Sequence, residues 1–194
     1  MSETPSPKST SAANLQSLWL RCALFVSACG VVGSLYMSLE MDLKACSLCL
    51  YQRAFIMATA GILGLGLFMR GVPSAALTPL ALASASAGAC IAGFHLYLDR
   101  MEILECPAGI TGRITAPGES LAMYVLLVLM LLGDLFRQRM YVTHGLGAML
   151  VGFVFAVTSI RATPPPPTPD RPYTKELDGC RKVYREMVSE PRTK

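Results

Sequence analysis

The sequence is poor in charged residues, in histidine and in tryptophan. Of its 194 residues, 15% are charged, two are histidine and one is tryptophan, whereas 53% are hydrophobic. This composition, with a mean hydropathy of +0.46, is too apolar for an ordinary soluble domain and indicates an integral membrane protein. The net charge of +4 is small, and eight of the 17 lysines and arginines follow Ile160. We therefore expect a basic tail near lipid and no nucleic-acid surface.

The first 14 residues lack the pattern of a cleaved signal peptide. They are rich in serine, proline and threonine, and no basic stretch leads into a short apolar core. We expect residues 1–14 to be a disordered segment rather than a leader that is removed.

Five apolar segments are long enough to cross a membrane, for which a helix needs about 20 residues. They run from about Leu15 to Leu39, Leu50 to Met69, Ser74 to Leu98, Leu121 to Phe136 and Tyr141 to Ile160. The third is rich in alanine, serine and glycine, and such small residues allow helices to approach closely in lipid. The predicted fold is therefore an all-α integral membrane protein, with a bundle over residues 15–161 and the third helix inside it.

The chain after the bundle, residues 162–194, divides into a linker and a tail. Residues 163–169 are mostly proline, which favours an extended polyproline II spacer. A short amphipathic helix is predicted beyond it, because four residues recur at spacings of three, four and three. They are Leu177, Cys180, Tyr184 and Met187. Contact of this helix with lipid headgroups would explain its apolar residues but not its cysteine.

Seven cysteines form an odd set, so they cannot all be paired in a framework of structural disulfides. Those inside apolar segments, where a thiol usually packs as a small hydrophobic side chain, are Cys22, Cys29 and Cys90. Those in polar or boundary segments are Cys46, Cys49, Cys106 and Cys180. With five spans, the loop after the first helix, the loop after the third and the tail share one side of the membrane. Four thiols on one side permit two disulfides that exchange with each other.

The distribution of basic residues gives the orientation of the bundle. Without the tail, the side of the N-terminus carries five basic residues and the other side carries three. The five are Lys8, Arg21, Arg70, Arg137 and Arg139, and the three are Lys44, Arg100 and Arg113. This bias places the N-terminus in the cytoplasm, although basic residues at the start of the tail offset it. Since stable disulfides belong in an oxidising compartment, we expect the four thiols to lie outside the cytoplasm.

The edge of the second span carries a Cys-x-x-Cys motif, Cys46-Ser47-Leu48-Cys49. In such a pair, a helix N-terminus, the second thiol or a cation lowers one thiol pKa, so a thiolate nucleophile exists near neutral pH. Arg53, one turn further on, can supply the cation, and an intramembrane arginine needs a function or a partner. The alternative for Arg53 is that it snorkels to anchor the span. The third span contains His95, which can be interpreted as a histidine that only packs between helices.

The octet that begins at Cys46, Cys-Ser-Leu-Cys-Leu-Tyr-Gln-Arg, resembles the Cys-x-Leu-Cys-x-x-Gln-Arg signature of the DsbB family. These are inner-membrane proteins that regenerate the periplasmic disulfide donor DsbA. His95 and Cys106 resemble the histidine of the family's third span and the loop cysteine that follows it. The resemblance covers residues 15–137. It implies a four-helix transmembrane bundle of DsbB type, to which this chain adds a fifth transmembrane helix and a tail.

The resemblance also implies an activity, that of a protein-dithiol:quinone oxidoreductase in the bacterial inner membrane, with periplasmic cysteine loops and tail. Electrons would pass from a reduced DsbA-like partner of thioredoxin fold to the loop cysteines, then to Cys46 and Cys49. The final acceptor would be a membrane quinone, either ubiquinone or menaquinone. Cys49 would be the thiolate that faces the quinone, and Arg53 and His95 would bind this cofactor.

The chain departs from the family in its second cysteine pair. Family members carry both cysteines of this pair in the loop after the third span, whereas this loop contains Cys106 alone, with Ser120 roughly where a second cysteine would stand. Cys180 is the candidate partner, because the fifth span returns the chain to the same side of the membrane. We hypothesise a Cys106–Cys180 disulfide that accepts electrons from the partner and passes them to Cys46 and Cys49.

Two other functions are consistent with the sequence. A non-catalytic membrane subunit or assembly factor would account for the incomplete second pair. A quinone-linked thiol enzyme of the vitamin K epoxide reductase type would also use a helical bundle, although Gln52 and Arg53 fit the DsbB pattern better. No metal site is predicted, because the exposed thiols lack a second Cys-x-x-Cys or clustered histidines.

Overall fold

The computed structural model describes residues 7–68, 74–137, 142–164, 167, 173–174 and 177–184. Within these ranges the chain forms five helices and two short strands. The helices are α1 (Pro7–Leu39), α2 (Ser47–Phe68), α3 (Ser74–Arg100), α4 (Ala116–Arg137) and α5 (Val142–Ala162), and the strands are β1 (Leu104–Glu105) and β2 (Arg181–Lys182).

Each of these helices contains a segment long and apolar enough to cross a membrane. The segments are Leu18–Leu39, Ser47–Phe68, Ala76–Arg100, Ala116–Arg137 and Thr143–Ala162. The predicted fold class, an all-α membrane bundle with five spans, is therefore confirmed. The chain is a multi-pass membrane protein.

Helix α1 begins earlier than the sequence predicts. Residues 7–14 belong to the segment predicted to be disordered, but the helix starts at Pro7. A proline is tolerated at the first helical position, because its missing N–H group would have no helical partner there. Residues 1–6 of the same segment lie outside the described ranges.

Helix α3 is the centre of the bundle. In its apolar segment 67% of the residues are buried, against 11–28% in the other four helices. It packs against α2, α4 and α5, and its buried residues include Ala81, Ala85 and Ala92. The prediction that the small residues of this segment lie inside the bundle is confirmed, since they let three neighbours approach one helix.

Two glycines mark the closest approaches to α3. A Cβ atom on Gly88 of α3 would overlap the ring of Tyr124 on α4, and one on Gly152 of α5 would overlap the Oγ atom of Ser86 on α3. The packing of Tyr124 against Gly88 connects α3 and α4 to the site described below. The hydroxyl of Tyr124 donates a hydrogen bond to the carbonyl oxygen of Gln52 in α2.

The tail after α5 runs back across the loops at one end of the bundle. Strand β2 pairs antiparallel with β1, and Gly179 forms a parallel bridge with Lys44. The N–H group of Lys44 donates to the carbonyl oxygen of Asp178 at 2.6 Å. The tail therefore adds backbone hydrogen bonds to two loops that are far apart in sequence.

The predicted amphipathic helix in the tail is wrong for the described residues. Leu177, Cys180 and Tyr184 lie in an extended segment, because the backbone of the tail pairs with the loop after α1 and with β1. Periodicity within the tail cannot report these distant partners. Met187 and most of the predicted polyproline spacer lie outside the described residues.

We predict that Gly88→Ala lowers the free energy of unfolding by about 1–3 kcal/mol, since an added methyl group forces the Tyr124 ring out of a packed interface. Gly61→Ala is the matched control in α2. A Cβ atom there meets nothing within 4 Å among the described residues, so this change should be neutral or stabilise by up to about 1 kcal/mol. Thermal unfolding in detergent, followed by circular dichroism, measures both. Equal melting temperatures for the two variants would contradict the packing described.

Candidate functional site

Three separate segments meet at one end of the bundle. The junction of the first loop with α2 contributes Cys46 and Cys49, the loop after α3 contributes Cys106, and the tail contributes Cys180. His95, near the end of α3, lies among them with no exposed surface. Four atoms lie within 4.8 Å of one another, namely a ring nitrogen of His95 and the Sγ atoms of Cys46, Cys49 and Cys180.

Cys106 and Cys180 form a disulfide, which is the pairing hypothesised from the sequence. Cys106 is buried, with 7% of its surface exposed, whereas Cys180 is half-buried. The tail therefore supplies the cysteine that the loop after α3 lacks. The incomplete loop no longer argues for a non-catalytic subunit, because the second pair is complete in the folded chain.

Two ion pairs flank Cys180. The ammonium group of Lys44 lies 2.6 Å from a carboxylate oxygen of Asp178, and Nε of Arg181 lies 3.2 Å from a carboxylate oxygen of Glu105. The hydrogen bond and charge of Asp178 raise the pKa of Lys44. Such exposed pairs stabilise little on their own, so the backbone pairing described above is the main non-covalent attachment of the tail.

Cys46 caps the N-terminus of α2 with its sulfur atom. Its carbonyl oxygen accepts a helical hydrogen bond from the N–H group of Leu50, and its Sγ atom accepts one from the N–H group of Cys49 at 3.2 Å. This is the geometry of an N-cap side chain. The helix N-terminus favours negative charge at this position.

The thiol of Cys46 is strongly acidic. Its Sγ atom lies 2.9 Å from that of Cys49 and 3.9 Å from Nε2 of His95. The hydrogen bond with Cys49, followed by that with His95, lowers the pKa of Cys46 to about 4. The lowered pKa therefore indicates Cys46 as the more acidic thiol of the reduced pair, whereas the resemblance assigns the thiolate to Cys49.

A chain of three side chains fixes the orientation of His95. The hydroxyl of Ser120 donates to Oε1 of Gln52 at 2.8 Å, which leaves the amide nitrogen of Gln52 to donate to Nδ1 of His95 at 3.2 Å. Because Nδ1 accepts, the proton of a neutral His95 is on Nε2. Nε2 lies 3.3 Å from Sγ of Cys106 and 3.9 Å from Sγ of Cys46. The histidine thus presents an N–H donor to one sulfur of each pair.

A cavity of about 200 Å³ is lined by residues of α1, α2 and α4, by the loops after α1 and α3, and by Cys180 of the tail. Its walls are mostly apolar, and they include Cys49 and Arg53. Nε of Arg53 donates to the hydroxyl of Ser34 at 2.9 Å, and Nη2 donates to the carbonyl oxygen of Ser34 at 2.9 Å and to the hydroxyl of Ser38. Arg53 is therefore fixed to α1 within the bundle, unlike an arginine that snorkels to water.

The resemblance groups His95 with Arg53 at the cofactor, and that role of His95 stays a prediction. Arg53 lines this cavity, whereas His95 is not among its lining residues. It contacts the thiols instead. Its neighbours Gln52 and Ser120 form the hydrogen bonds that orient it, and the sequence analysis gave neither of them a role. Gln52 could have been noticed as a polar residue on the buried face of α2, in register with Leu48 and Ile56.

The fold and the site define a class: a multi-pass helical membrane protein that holds two cysteine pairs against one buried histidine. The family model for "Disulfide bond formation protein DsbB" matches residues 16–118, just over half of the chain. The chain belongs to the DsbB family. The match ends before α5 and Cys180, so the cysteine that completes the second pair lies outside the part shared with the family.

Three curated relatives from Bacillus resemble the chain at a similar level, and two illustrate the range. "Probable disulfide formation protein C" of Bacillus cereus is 31% identical over 104 residues, which are 54% of this chain and 73% of the relative. "Probable disulfide formation protein C 1" of Bacillus anthracis is 32% identical over 88 residues, which are 45% of this chain and 61% of the relative. No solved structure matches the chain significantly.

We predict that the acidity of Cys46 depends on the hydrogen bond from residue 49. Cys49→Ser retains a hydroxyl donor, so the pKa of Cys46 should stay below neutrality, whereas Cys49→Ala removes the donor and should raise that pKa by more than about one pH unit. The rate at which iodoacetamide alkylates Cys46, followed by mass spectrometry from pH 4 to pH 9, reports the thiolate fraction. Identical pH profiles for the two variants would show that another group lowers the pKa.

Proposed function

We propose that the chain is a membrane thiol-disulfide oxidoreductase. It reoxidises a DsbA-like dithiol partner of thioredoxin fold on the periplasmic side of the bacterial inner membrane, and it passes the electrons to a membrane quinone. The observation that carries the proposal is the position of the Cys106–Cys180 disulfide beside the reactive pair, with the sulfur atoms of Cys46 and Cys180 within 4.8 Å. Two disulfides at this separation can exchange by thiolate attack.

Electron transfer through the chain begins at the Cys106–Cys180 disulfide. The two thiols of the partner reduce it, so a disulfide forms in the partner and Cys106 and Cys180 become thiols. The thiolate of Cys180 then attacks Sγ of Cys46 in the oxidised Cys46–Cys49 pair, and Cys49 leaves as a thiolate. Cys106 next attacks Cys180 in this mixed disulfide. The Cys106–Cys180 disulfide forms again, and Cys46 and Cys49 now hold the two electrons and two protons.

His95 assists the exchange at Cys46. Its Nε2–H group lies near Cys106 and Cys46, and Cys46 is the leaving sulfur when Cys106 attacks Cys180 in the mixed disulfide. A hydrogen bond to a leaving thiolate stabilises its charge and so speeds exchange. Gln52 and Ser120 act through His95 by keeping the proton on Nε2.

The cavity beside Cys49 supports a quinone as the acceptor. An apolar cavity of about 150 Å³ admits benzene, so one of about 200 Å³ has room for a quinone ring. Arg53 would place a positive charge and N–H donors at a quinone oxygen, and Cys49 lines the same cavity. When bound, ubiquinone or menaquinone supplies a two-electron, two-proton acceptor.

Quinone reduction by a reduced thioredoxin-fold dithiol protein tests the proposal. We expect turnover to fall to background in each single alanine variant of the four site cysteines, Cys46, Cys49, Cys106 and Cys180. The control is Cys22→Ala, which removes an exposed thiol of α1 outside the site and should leave turnover unchanged. Absorbance of the quinone follows the reaction.

Reduction by a small dithiol tests the role of Cys46–Cys49 separately from that of Cys106–Cys180. Because dithiothreitol can reduce Cys46–Cys49 directly, Cys180→Ala should still reduce quinone with dithiothreitol while it fails with the protein partner. Cys46→Ala should fail with both. Turnover of Cys180→Ala with the protein partner at the wild-type rate would refute the proposed order of electron transfer.

A further inference from the structure

The thiol cluster contains the ligand set of a zinc site. Ligand atoms of Cys46, Cys49, Cys180 and His95 lie within 4.8 Å of one another. In a tetrahedral zinc complex with Zn–S distances of about 2.3 Å and a Zn–N distance of about 2.0 Å, ligand atoms are about 3.5–3.8 Å apart. Movements of roughly 1 Å would therefore bring these four atoms into a coordination shell.

We propose that the reduced protein binds one zinc ion through Cys46, Cys49, Cys180 and His95, and that this ion holds the site in its dithiol state. The regulatory part of the proposal rests on the proposed function, because the partner's thiols are what reduce Cys106–Cys180 and release Cys180. Binding forms three Zn–S bonds and one Zn–N bond, and the thiol protons pass to solvent. No electrons are transferred, and Cys106 remains a free thiol.

The chemistry of the ligands favours zinc over harder divalent cations. The group contains three thiolates and one imidazole and no carboxylate, a combination typical of closed zinc sites, whereas calcium and magnesium require oxygen ligands. A zinc ion bound in this way would occupy the sulfur atoms that must form disulfides. The bound form is therefore inactive until the metal is removed.

Gln52 can also support a metal-bound His95. Nε2 is the ring nitrogen that faces the sulfurs, so zinc binding at Nε2 moves the proton to Nδ1. Rotation of the Gln52 amide by half a turn then presents its oxygen to Nδ1–H, and the hydroxyl of Ser120 can accept from the amide nitrogen as readily as it donates to the oxygen. This is the outer hydrogen bond that metal-bound histidines normally make.

Two serine variants provide a matched test, since each of them lacks the Cys106–Cys180 disulfide. Cys106→Ser leaves all four ligands in place and frees Cys180, whereas Cys180→Ser removes one ligand. We expect Cys106→Ser to bind one equivalent of zinc, and Cys180→Ser to bind about 100-fold more weakly or worse. Reduced protein in detergent is loaded with zinc chloride, and the affinity is measured by competition with a chromophoric chelator. Equal affinities, or tighter binding by Cys180→Ser, would overturn the ligand assignment.

X-ray absorption of the reduced wild-type protein loaded with zinc gives an answer even if a variant fails to fold. A shell of three sulfurs and one nitrogen is expected, and two sulfurs with oxygen ligands would refute the site. These measurements need neither quinone nor partner, so they stand or fall separately from the proposed function. For the regulatory part, wild-type turnover should stop at saturating zinc and return after chelation. Unchanged turnover with zinc bound would overturn that part.

Discussion

The disulfide between Cys106 and Cys180 closes a loop with a sequence separation of 74 residues, and it is the covalent link that completes the second cysteine pair of the site. Ordering a chain segment of this length has a substantial entropic cost. Most of the segment consists of α4 and α5, and α5 packs along α3, which is the helix that also carries His95. The bundle thus places the start of the tail at the same end as Cys106, so a short extended tail is sufficient to complete the second pair.

Three polar residues of the site, of which Gln52 and His95 are buried and Ser120 is half-buried, serve two needs at once. Gln52, His95 and Ser120 lie between helices in an apolar bundle, where an unpaired polar group is costly. Their mutual hydrogen bonds satisfy this requirement, and the same bonds decide which nitrogen of His95 carries the proton. Since one ring nitrogen accepts from Gln52, the other must donate toward the sulfurs. The same hydrogen bonds therefore satisfy the polar groups of these residues and orient the ring of His95.

The sequence predicted what depends on local composition and on chain order. Five apolar runs identify five helices, and their order places the four site cysteines on one side. The resemblance to the DsbB family, whose second cysteine pair is incomplete in this chain's loop after α3, then suggested the pairing of Cys106 with Cys180. The tail helix was wrong because strand pairing depends on partners elsewhere in the chain. The contacts of Gln52 with His95 and Ser120 join residues 43 and 68 positions apart, and no periodicity within α2 specifies which side chains face it across the bundle.

Splitting the second pair between a loop and a tail has a mechanical consequence. When the disulfide opens, Cys180 is still held by β1–β2 pairing on one side and by the bridge between Gly179 and Lys44 on the other. These hydrogen bonds do not involve sulfur, so they would persist during the proposed exchange of Cys180 between Cys106 and Cys46. Because the tail would stay in place, the thiols would remain close to His95 during reduction. The short distances between these sulfur atoms would thus favour both the proposed disulfide exchange and the proposed zinc binding.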